Sequence, residues 1–514
     1  MNSFFSSWKQ DLPASIVVFL VALPLCLGVG LASTTVDGLI GLPNIFSGLI
    51  AGAVGGIIVG MISKSRIGVS GPAAGLITIV LASLATLGSF ESFLVAIVLA
   101  GILQLIAGFS GLGSLGNYFP SAVIKGMLAA IGITLILKEI PHALGYDKDF
   151  FGDESFFQMD GHNTFSELIY ALNAFSPGSV LIGTISLGLL ILFEQAFFKR
   201  FVFFKYVPGA LIVVLFGIAF NWFTLTNFTD LHVSDKHLVS IPVSNSFENF
   251  LTQFRFPDWT ALSNIKVYSI ALTIALVGSL ETLLSVEATD KLDPNRNLTP
   301  TNHELKAQGI GNILSGLIGG LPVTQVIVRS SANVNSGGKS KLSTILHGCF
   351  LVLSVYYIPD FLNKIPLASL AAILIMVGYK LSKVSLYKET FKLGWEQFLP
   401  FISTILGVIF TDLLKGIGIG LLVAIFFILR RNYKRNFNMK KSKDGQEYFL
   451  VLEENVSYLN KGSISSLLEK LPNNAQLTID LSKSKYIDYD VIEFIHDFEN
   501  YSAKNKNIHV TILK

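Results

Sequence analysis

The chain has 514 residues, of which 51% are hydrophobic and only 14% charged, and its formal net charge is +3. With a mean hydropathy of +0.59, it cannot present the polar surface of a water-soluble globule, so the composition indicates an integral membrane protein. The small positive charge is concentrated in short loops, as in membrane proteins, and gives no indication of a nucleic-acid partner.

Apolar runs near the length of a membrane-spanning helix recur through the first 430 residues. They begin near Pro13, Gly38, Ser92, Pro120, Pro177, Pro208, Asn264, His303, Lys341, Pro366, Gln397 and Lys415. Two shorter stretches, from Gly68 and from Gly319, raise the total to about fourteen. We therefore predict an all-α polytopic unit over residues 1–432, with two repeats of seven segments at about 13–225 and 264–432.

Lys and Arg concentrate in alternate loops, for example at Lys64 and Arg66 and at Lys199 and Arg200, whereas the stretch 139–175 is acidic. This bias predicts that both termini are cytoplasmic in a multi-pass protein of the cytoplasmic (inner) membrane. Residues 433–514 change to a mixed composition, with strand-like alternation from Tyr448 and Ala475 and helical spacing between. They predict a small cytoplasmic α/β domain.

The two short stretches occupy corresponding places in the two halves. Pro72 lies about 59 residues after Pro13, and Pro322 lies about 58 residues after Asn264. Paired interrupted helices at matching positions indicate a transporter substrate site, although glycine and proline also simply kink membrane helices. We expect each proline to occupy the first turn of a half-helix, where its missing N–H costs nothing.

The start of a helix within the bilayer leaves N–H groups unpaired and carries a partial positive charge, which favours an anion. With inverted topology, the two half-helices would meet near the midplane. Arg329 follows in the second stretch and either attracts the anion, pairs with a buried carboxylate or lines the cytoplasmic exit. The candidate substrate-binding residues are Gly71, Pro72, Ala73, Ala74, Val326, Ile327, Arg329 and Ser330.

Glu281 lies at membrane depth in the run from Asn264, and Ser285 follows one turn later on the same helix face. A carboxylate at this depth is a candidate for binding a driving cation or a proton. The sequence has no nucleotide-binding loop, no metal-ligand spacing and no hydrolase motif. We therefore expect no enzyme and no cofactor, but a gradient-driven carrier or a channel.

Several motifs, "VSGPAAGL", "GSLETLLSVEATDKLDP" and "NHELKAQGIGNILSGLIGGLPVTQVIVRSSANVN" among them, resemble the SulP family of inorganic anion transporters, relatives of prestin. The resemblance covers essentially the whole chain. It implies a seven-plus-seven inverted repeat, a C-terminal STAS domain, a homodimer and an elevator-like motion. It also implies transport of sulfate, bicarbonate or a related anion.

In a bicarbonate transporter of that family, sodium is held by residues that match Glu281, Ser285, Gln325 and Ile327. The acidic and hydroxyl residues are present here, but Ile327 offers only its backbone, so coupling to sodium and coupling to protons both remain open. The tail reads Asp488, Tyr489, Asp490 where relatives often carry a phosphorylatable Asp-Ser pair. It is therefore expected to support packing and dimerisation.

The leading function is secondary active symport of sulfate or bicarbonate, with sodium as the candidate ion if protons are not used. An anion channel or passive exchanger of the same fold is the alternative. A nucleobase permease is less favoured, because Ala73, Ala74, Val326 and Ile327 offer no polar side chains for purine edges.

Overall fold

The computed structural model describes residues 7–33, 45–72, 74–148, 156–157, 162–195, 207–241, 248, 251–435, 437–442 and 447–513. The chain divides into two compact units, Met1–Leu421 and Leu422–Lys514. The division falls inside a continuous helix, so the domain boundary near residue 432 remains a prediction.

The first unit is mostly helical. In its first half the elements are α1 (Trp8–Ser33), α2 (Phe46–Ile62, with a π-helical turn at Gly55–Val59), β1 (Ser70–Pro72), α3 (Ile77–Leu87), α4 (Phe90–Phe109), α5 (Ser121–Leu144), α6 (Thr164–Asn173), α7 (Pro177–Glu194) and α8 (Gly209–Asn227). In its second half they are α9 (Ile265–Leu292), α10 (Thr301–Leu317), β2 (Val323–Gln325), α11 (Ile327–Asn335), α12 (Lys341–Tyr357), α13 (Pro359–Leu362), α14 (Leu367–Leu381), α15 (Val384–Lys392), α16 (Trp395–Phe410) and α17 (Leu413–Arg435).

Seven helical segments of the described chain are long and apolar enough to span a membrane, and five shorter apolar helices accompany them. This confirms a polytopic, mostly helical architecture. The total of about fourteen spans and the inverted repeat stay predictions. Among the shorter helices is α3, which follows the first interrupted segment.

The helices of the first unit pack as two bundles. The α4 bundle contains α1, α2, α4, α9, α10 and α12, and the α5 bundle contains α5, α7, α8, α14 and α16. Each is held by a glycine pair: Gly101 of α4 meets Gly309 of α10, and Gly132 of α5 meets Gly378 of α14. A Cβ at any of the four positions would lie 2.5–2.7 Å from the facing carbonyl oxygen. Glycine thus allows the backbones to touch, as is common between membrane helices.

A buried carboxylate joins the end of α5 to the connection that follows α8. Asp147 accepts hydrogen bonds from His142 Nδ1 at 2.6 Å and from His237 Nδ1 at 2.5 Å. Burial alone would raise the pKa of Asp147, but these two histidines hold it below its ordinary value. In the same connection, Val239 N–H donates a hydrogen bond to the C=O of Ile365, just before α14.

The second unit is an α/β fold. Its four-stranded sheet has the order β3 (Phe437–Lys441), β4 (Glu447–Leu452), β6 (Gln476–Asp480) and β8 (His509–Leu513); the first pair is antiparallel and the others are parallel. The short strands β5 (Asn455–Val456) and β7 (Tyr486–Ile487) pair separately. Helices α18 (Lys461–Glu469) and α19 (Tyr489–Asp497) supply Ile464, Val491 and Ile495 to the core. This region is compatible with a STAS domain.

Candidate functional site

The two interrupted segments meet as a short antiparallel ladder. Ser70 pairs with Gln325, Gly71 with Thr324 and Pro72 with Val323. Beyond the ladder the first segment enters a 3-10 turn at Ala74–Leu76 and then α3, while the second enters α11 at Ile327. The two helix starts are therefore joined at one crossing, which places the positive ends of both helices close together. Ala73 lies outside the described residues.

The prolines are not where we expected them. Pro72 lies within β1, and Pro322 immediately precedes β2, so the first turns of the helices begin later, at Ala74 and Ile327. The expectation that both prolines occupy first helical turns is therefore wrong. The residue before a proline avoids the helical region of φ/ψ space, and this favours the extended conformation that the ladder needs.

Asn312 of α10 holds the ladder in place. Its side-chain oxygen accepts from Val323 N–H at 2.6 Å, and its side-chain nitrogen donates to Val323 C=O at 2.9 Å. The nitrogen also donates to Gln104 of α4 at 2.8 Å. The carboxamide thus pairs with both backbone groups of Val323, as a neighbouring strand would. Its only signal in the sequence is a polar side chain in an apolar helix.

Arg329 of α11 is the largest fully buried side chain among the described residues, with 1% exposure. Its Nη2 donates to Pro72 C=O at 3.3 Å, and the Cys26 thiol lies beside it. A Cβ on Gly71 would lie 2.0 Å from Nη1, so only glycine leaves room for the guanidinium against β1. Nε and Nη1 have no hydrogen-bond acceptor within the described residues. A buried guanidinium with two open donors suits an anionic ligand.

Two of the candidate substrate residues are already engaged in the crossing. Ser330 Oγ donates to Val326 C=O at 2.7 Å and accepts from Val69 N–H at 2.9 Å. Val326 N–H donates to Val69 C=O at 2.9 Å. These bonds fasten α11 to the residue before β1. Ser330 and the Val326 N–H therefore support the site, and the backbone of Ile327 and the Arg329 guanidinium remain for ligand contact.

Helix α9 passes beside the crossing and carries the candidate coupling residues. Glu281 is 6% exposed and Ser285 is 5% exposed. A Cβ on Gly75 would lie 3.2 Å from Glu281 Oε1, so the carboxylate lies against the start of the first interrupted helix. Thr282 Oγ1 accepts from Gln325 N–H at 3.4 Å. Glu281 is thus brought to the crossing by direct contact.

The Gln325 side chain turns away from Glu281. Its Nε2 donates to Thr289 Oγ1 at 3.2 Å, two helical turns farther along α9. The structure therefore places the Gln325 backbone near Glu281, and its carboxamide elsewhere. In the described part of the chain, no group of three or more His, Cys, Asp or Glu side chains is arranged to hold a metal ion.

A cavity of about 270 Å³ lies at the far end of α11. It is bounded by α1, α7, α8, α11 and α14, and so lies between the two bundles. Asn335 and Ser336 line it from the end of α11. Lys380 of α14 and Glu194 of α7, which form an ion pair, line it from the other side. The cavity therefore lies between the bundles and beside the end of the second interrupted helix.

Comparison with known proteins identifies the family. The sequence profile of the sulfate permease family matches residues 8–404. "Putative sulfate transporter YvdB" of Bacillus subtilis (strain 168) is 28% identical over 495 residues, covering 94% of this chain and 87% of its own. Bicarbonate transporter BicA of Picosynechococcus sp. (strain ATCC 27264 / PCC 7002 / PR-6) is 24% identical over 482 residues, covering 91% and 78%.

The fold agrees with this family. The overall structure of SLC26A9 matches with a TM-score of 0.67 and 14% identity, covering 99% of this chain and 84% of that chain. Members of the family are membrane transporters, and relatives of this chain are named as sulfate and bicarbonate transporters. The resemblance seen in the sequence motifs is therefore confirmed. The chain belongs to the sulfate permease family.

Proposed function

We propose that the protein is a secondary active transporter that moves a small inorganic anion, sulfate or bicarbonate, across the cytoplasmic membrane. The observation that carries the proposal is the buried Arg329 guanidinium, which has two open donors beside two helix starts. Burying a charge costs several kcal/mol unless a partner compensates it. An anion at the crossing would supply that compensation during transport.

Glu281 is the proposed coupling group. Its carboxylate contacts the start of the first interrupted helix, and Ser285 and Thr282 add hydroxyl oxygens on the same stretch of α9. These are oxygen ligands of the kind that sodium uses, but the Gln325 carboxamide does not join them and Ile327 adds only its backbone. A proton requires Glu281 alone. The site therefore suits either sodium or a proton, although it offers sodium fewer side-chain ligands than the matching site of the related bicarbonate transporter.

The two bundles support an elevator-type motion. The crossing lies in the α4 bundle, and the 270 Å³ cavity separates the end of α11 from the α5 bundle. We take the α4 bundle as the moving body, the α5 bundle as the scaffold, and a homodimer in the inner membrane as the working form. The second unit then lies in the cytoplasm, as do both termini, and supports packing.

The test is uptake of labelled sulfate and labelled bicarbonate by the full chain in proteoliposomes, with sodium and proton gradients imposed separately. Accumulation that follows one gradient, and collapses when an ionophore dissipates it, is the expected result. Flux that ignores both gradients and depends only on an anion on the opposite side would instead identify a passive exchanger. Absence of saturable flux for either anion would contradict the proposal.

A further inference from the structure

A second buried carboxylate lies near the crossing, on α10. Glu304 is 0% exposed, and both of its oxygens accept hydrogen bonds: Oε2 from Ser63 Oγ at 2.5 Å and Oε1 from Gln308 Nε2 at 2.9 Å. Three charged groups surround it, namely Lys341 of α12, Asp290 of α9 and, next to Lys341, Lys64. His303 adjoins it on α10. In the described chain none of these approaches Glu304 closely enough to form an ion pair.

Glu304 and its partner Gln308 together hold the two ends of the segment that leads into β1. Ser63 begins this segment, and Gln308 Nε2 also donates to Ser70 Oγ at 2.7 Å, where the segment ends. Ser70 is the residue of β1 that pairs with Gln325. The carboxylate is therefore linked to the ladder through one glutamine. Ser63 itself is buried, but the next residue, Lys64, is exposed, and a charged, exposed side chain marks this as the side from which a proton can enter.

The hydrogen-bond pattern around Gln308 depends on the charge of Glu304. An ionised carboxylate only accepts hydrogen bonds, so Gln308 must turn its NH2 group toward it. In this arrangement Gln308 Oε1 is buried with no donor among the described residues. A protonated Glu304 donates its own O–H, and Gln308 can then turn Oε1 toward it. That rotation makes Ser70 a donor where it was an acceptor.

We propose that Glu304 is a proton-binding site, reached from the cytoplasm, that controls the affinity of the crossing for its anion. The inference rests on the transport function proposed above. With Glu304 ionised, Ser63 and Gln308 fix the segment and Ser70 stays in register with Gln325. A proton from cytoplasmic water that adds to a Glu304 oxygen removes the charge, weakens both bonds and rotates Gln308. The crossing loosens, and the anion is released more easily to an acidic cytoplasm.

The experiment measures efflux of labelled sulfate, which stays fully ionised, from proteoliposomes enriched for one orientation. The pH on the extracellular face is fixed, and the pH on the cytoplasmic face is varied from about 5.5 to 8.5. At each pH, the sulfate concentration on the cytoplasmic face is varied to obtain KM. For the wild-type chain we expect KM to rise about tenfold as this pH falls, the effect of losing one charge-assisted bond. Glu304→Gln should show the high KM at every pH.

Two further variants keep the result interpretable. Ser63→Ala should move the midpoint of the KM profile to higher pH, because it removes a donor that favours the ionised carboxylate. Glu287→Gln changes a carboxylate on α9 that is paired with Lys291, and it should leave the profile unchanged. A folded Glu304→Gln protein with the wild-type profile would overturn the inference, as would a wild-type KM that ignores this pH. Absence of saturable sulfate efflux from the wild-type chain, together with absence of saturable bicarbonate uptake in the assay above, would instead contradict the transport function.

Discussion

Replacing Arg329 with methionine tests the anion site most directly. Methionine keeps most of the buried volume but removes the charge and its donors. A hydrogen bond to a charged group contributes about 1.5–3 kcal/mol, so even if only one of the two removed donors, Nε or Nη1, contacts the anion, binding should weaken by roughly 10- to 150-fold. Arg329→Lys retains the charge without the planar fork, and it should fall between the wild type and Arg329→Met.

The assay compares thermal unfolding of the purified protein with and without anion, beside the KM of uptake. Without anion, Arg329→Met should unfold at or above the wild-type temperature, since the variant no longer buries an uncompensated charge. Added sulfate or bicarbonate should stabilise the wild type increasingly as its concentration rises above Kd, and it should stabilise the variant far less. An arginine serving mainly as an internal ion bridge predicts the reverse, a large loss of stability without anion. That outcome, or an unchanged KM, would refute the assignment of Arg329 to the anion site.

Three further substitutions test the surrounding structure. Glu281→Gln should abolish gradient-driven uptake in a protein that still elutes as a folded species; retained uptake would remove Glu281 from coupling. Asn312→Ala leaves Val323 N–H and C=O unpaired, which should cost about 2–4 kcal/mol, seen as a lower unfolding temperature and slower uptake; wild-type values for both would show that the ladder needs no clamp. Asp147→Asn should lower stability at pH 7 by about 1–3 kcal/mol. Because hydrogen bonds depress the pKa of Asp147 in the folded state, this stabilisation is present above its unfolded pKa and disappears as pH falls below about 4, so the two unfolding curves should converge there. A difference that persists in acid would contradict the role of the ionised carboxylate.

The place of the crossing could be predicted from the sequence because its cause is local. Glycine, proline and unusual shortness at matching positions in two halves mark Gly71, Pro72 and Val326 without knowledge of any contact. The ladder itself has no recognisable signal in the sequence. Three residues are too few to show the alternation of a strand, and each pairs with a partner about 250 residues away. The sequence therefore predicts first helical turns at the two prolines, where the structure has extended backbone.

The partners of the site were harder to predict for a related reason. Asn312 and Gln308 act through side-chain contacts to other segments, and a polar residue in an apolar helix does not disclose its partner. The depth of Glu281 in an apolar run marks it in the sequence, and its carboxylate lies against the start of the first interrupted helix; its coupling role stays a prediction. The resemblance places Gln325 in the same ligand group, but its carboxamide has a different neighbour, Thr289. Sequence position fixes the backbone of a β residue more securely than the direction of a long side chain.

The ladder between β1 and β2 also constrains how the protein is made. Ser70 is synthesised about 250 residues before Gln325, its partner, and contacts so distant in sequence form late and slowly. Until then the backbone groups of the first interrupted segment lie in or near the bilayer without their hydrogen-bond partners, which is costly in lipid. The nascent chain therefore has to keep this segment shielded or hydrated. A chain cut before β2 should still insert several helices into the membrane. It should then be degraded, because β1 has no strand to pair with.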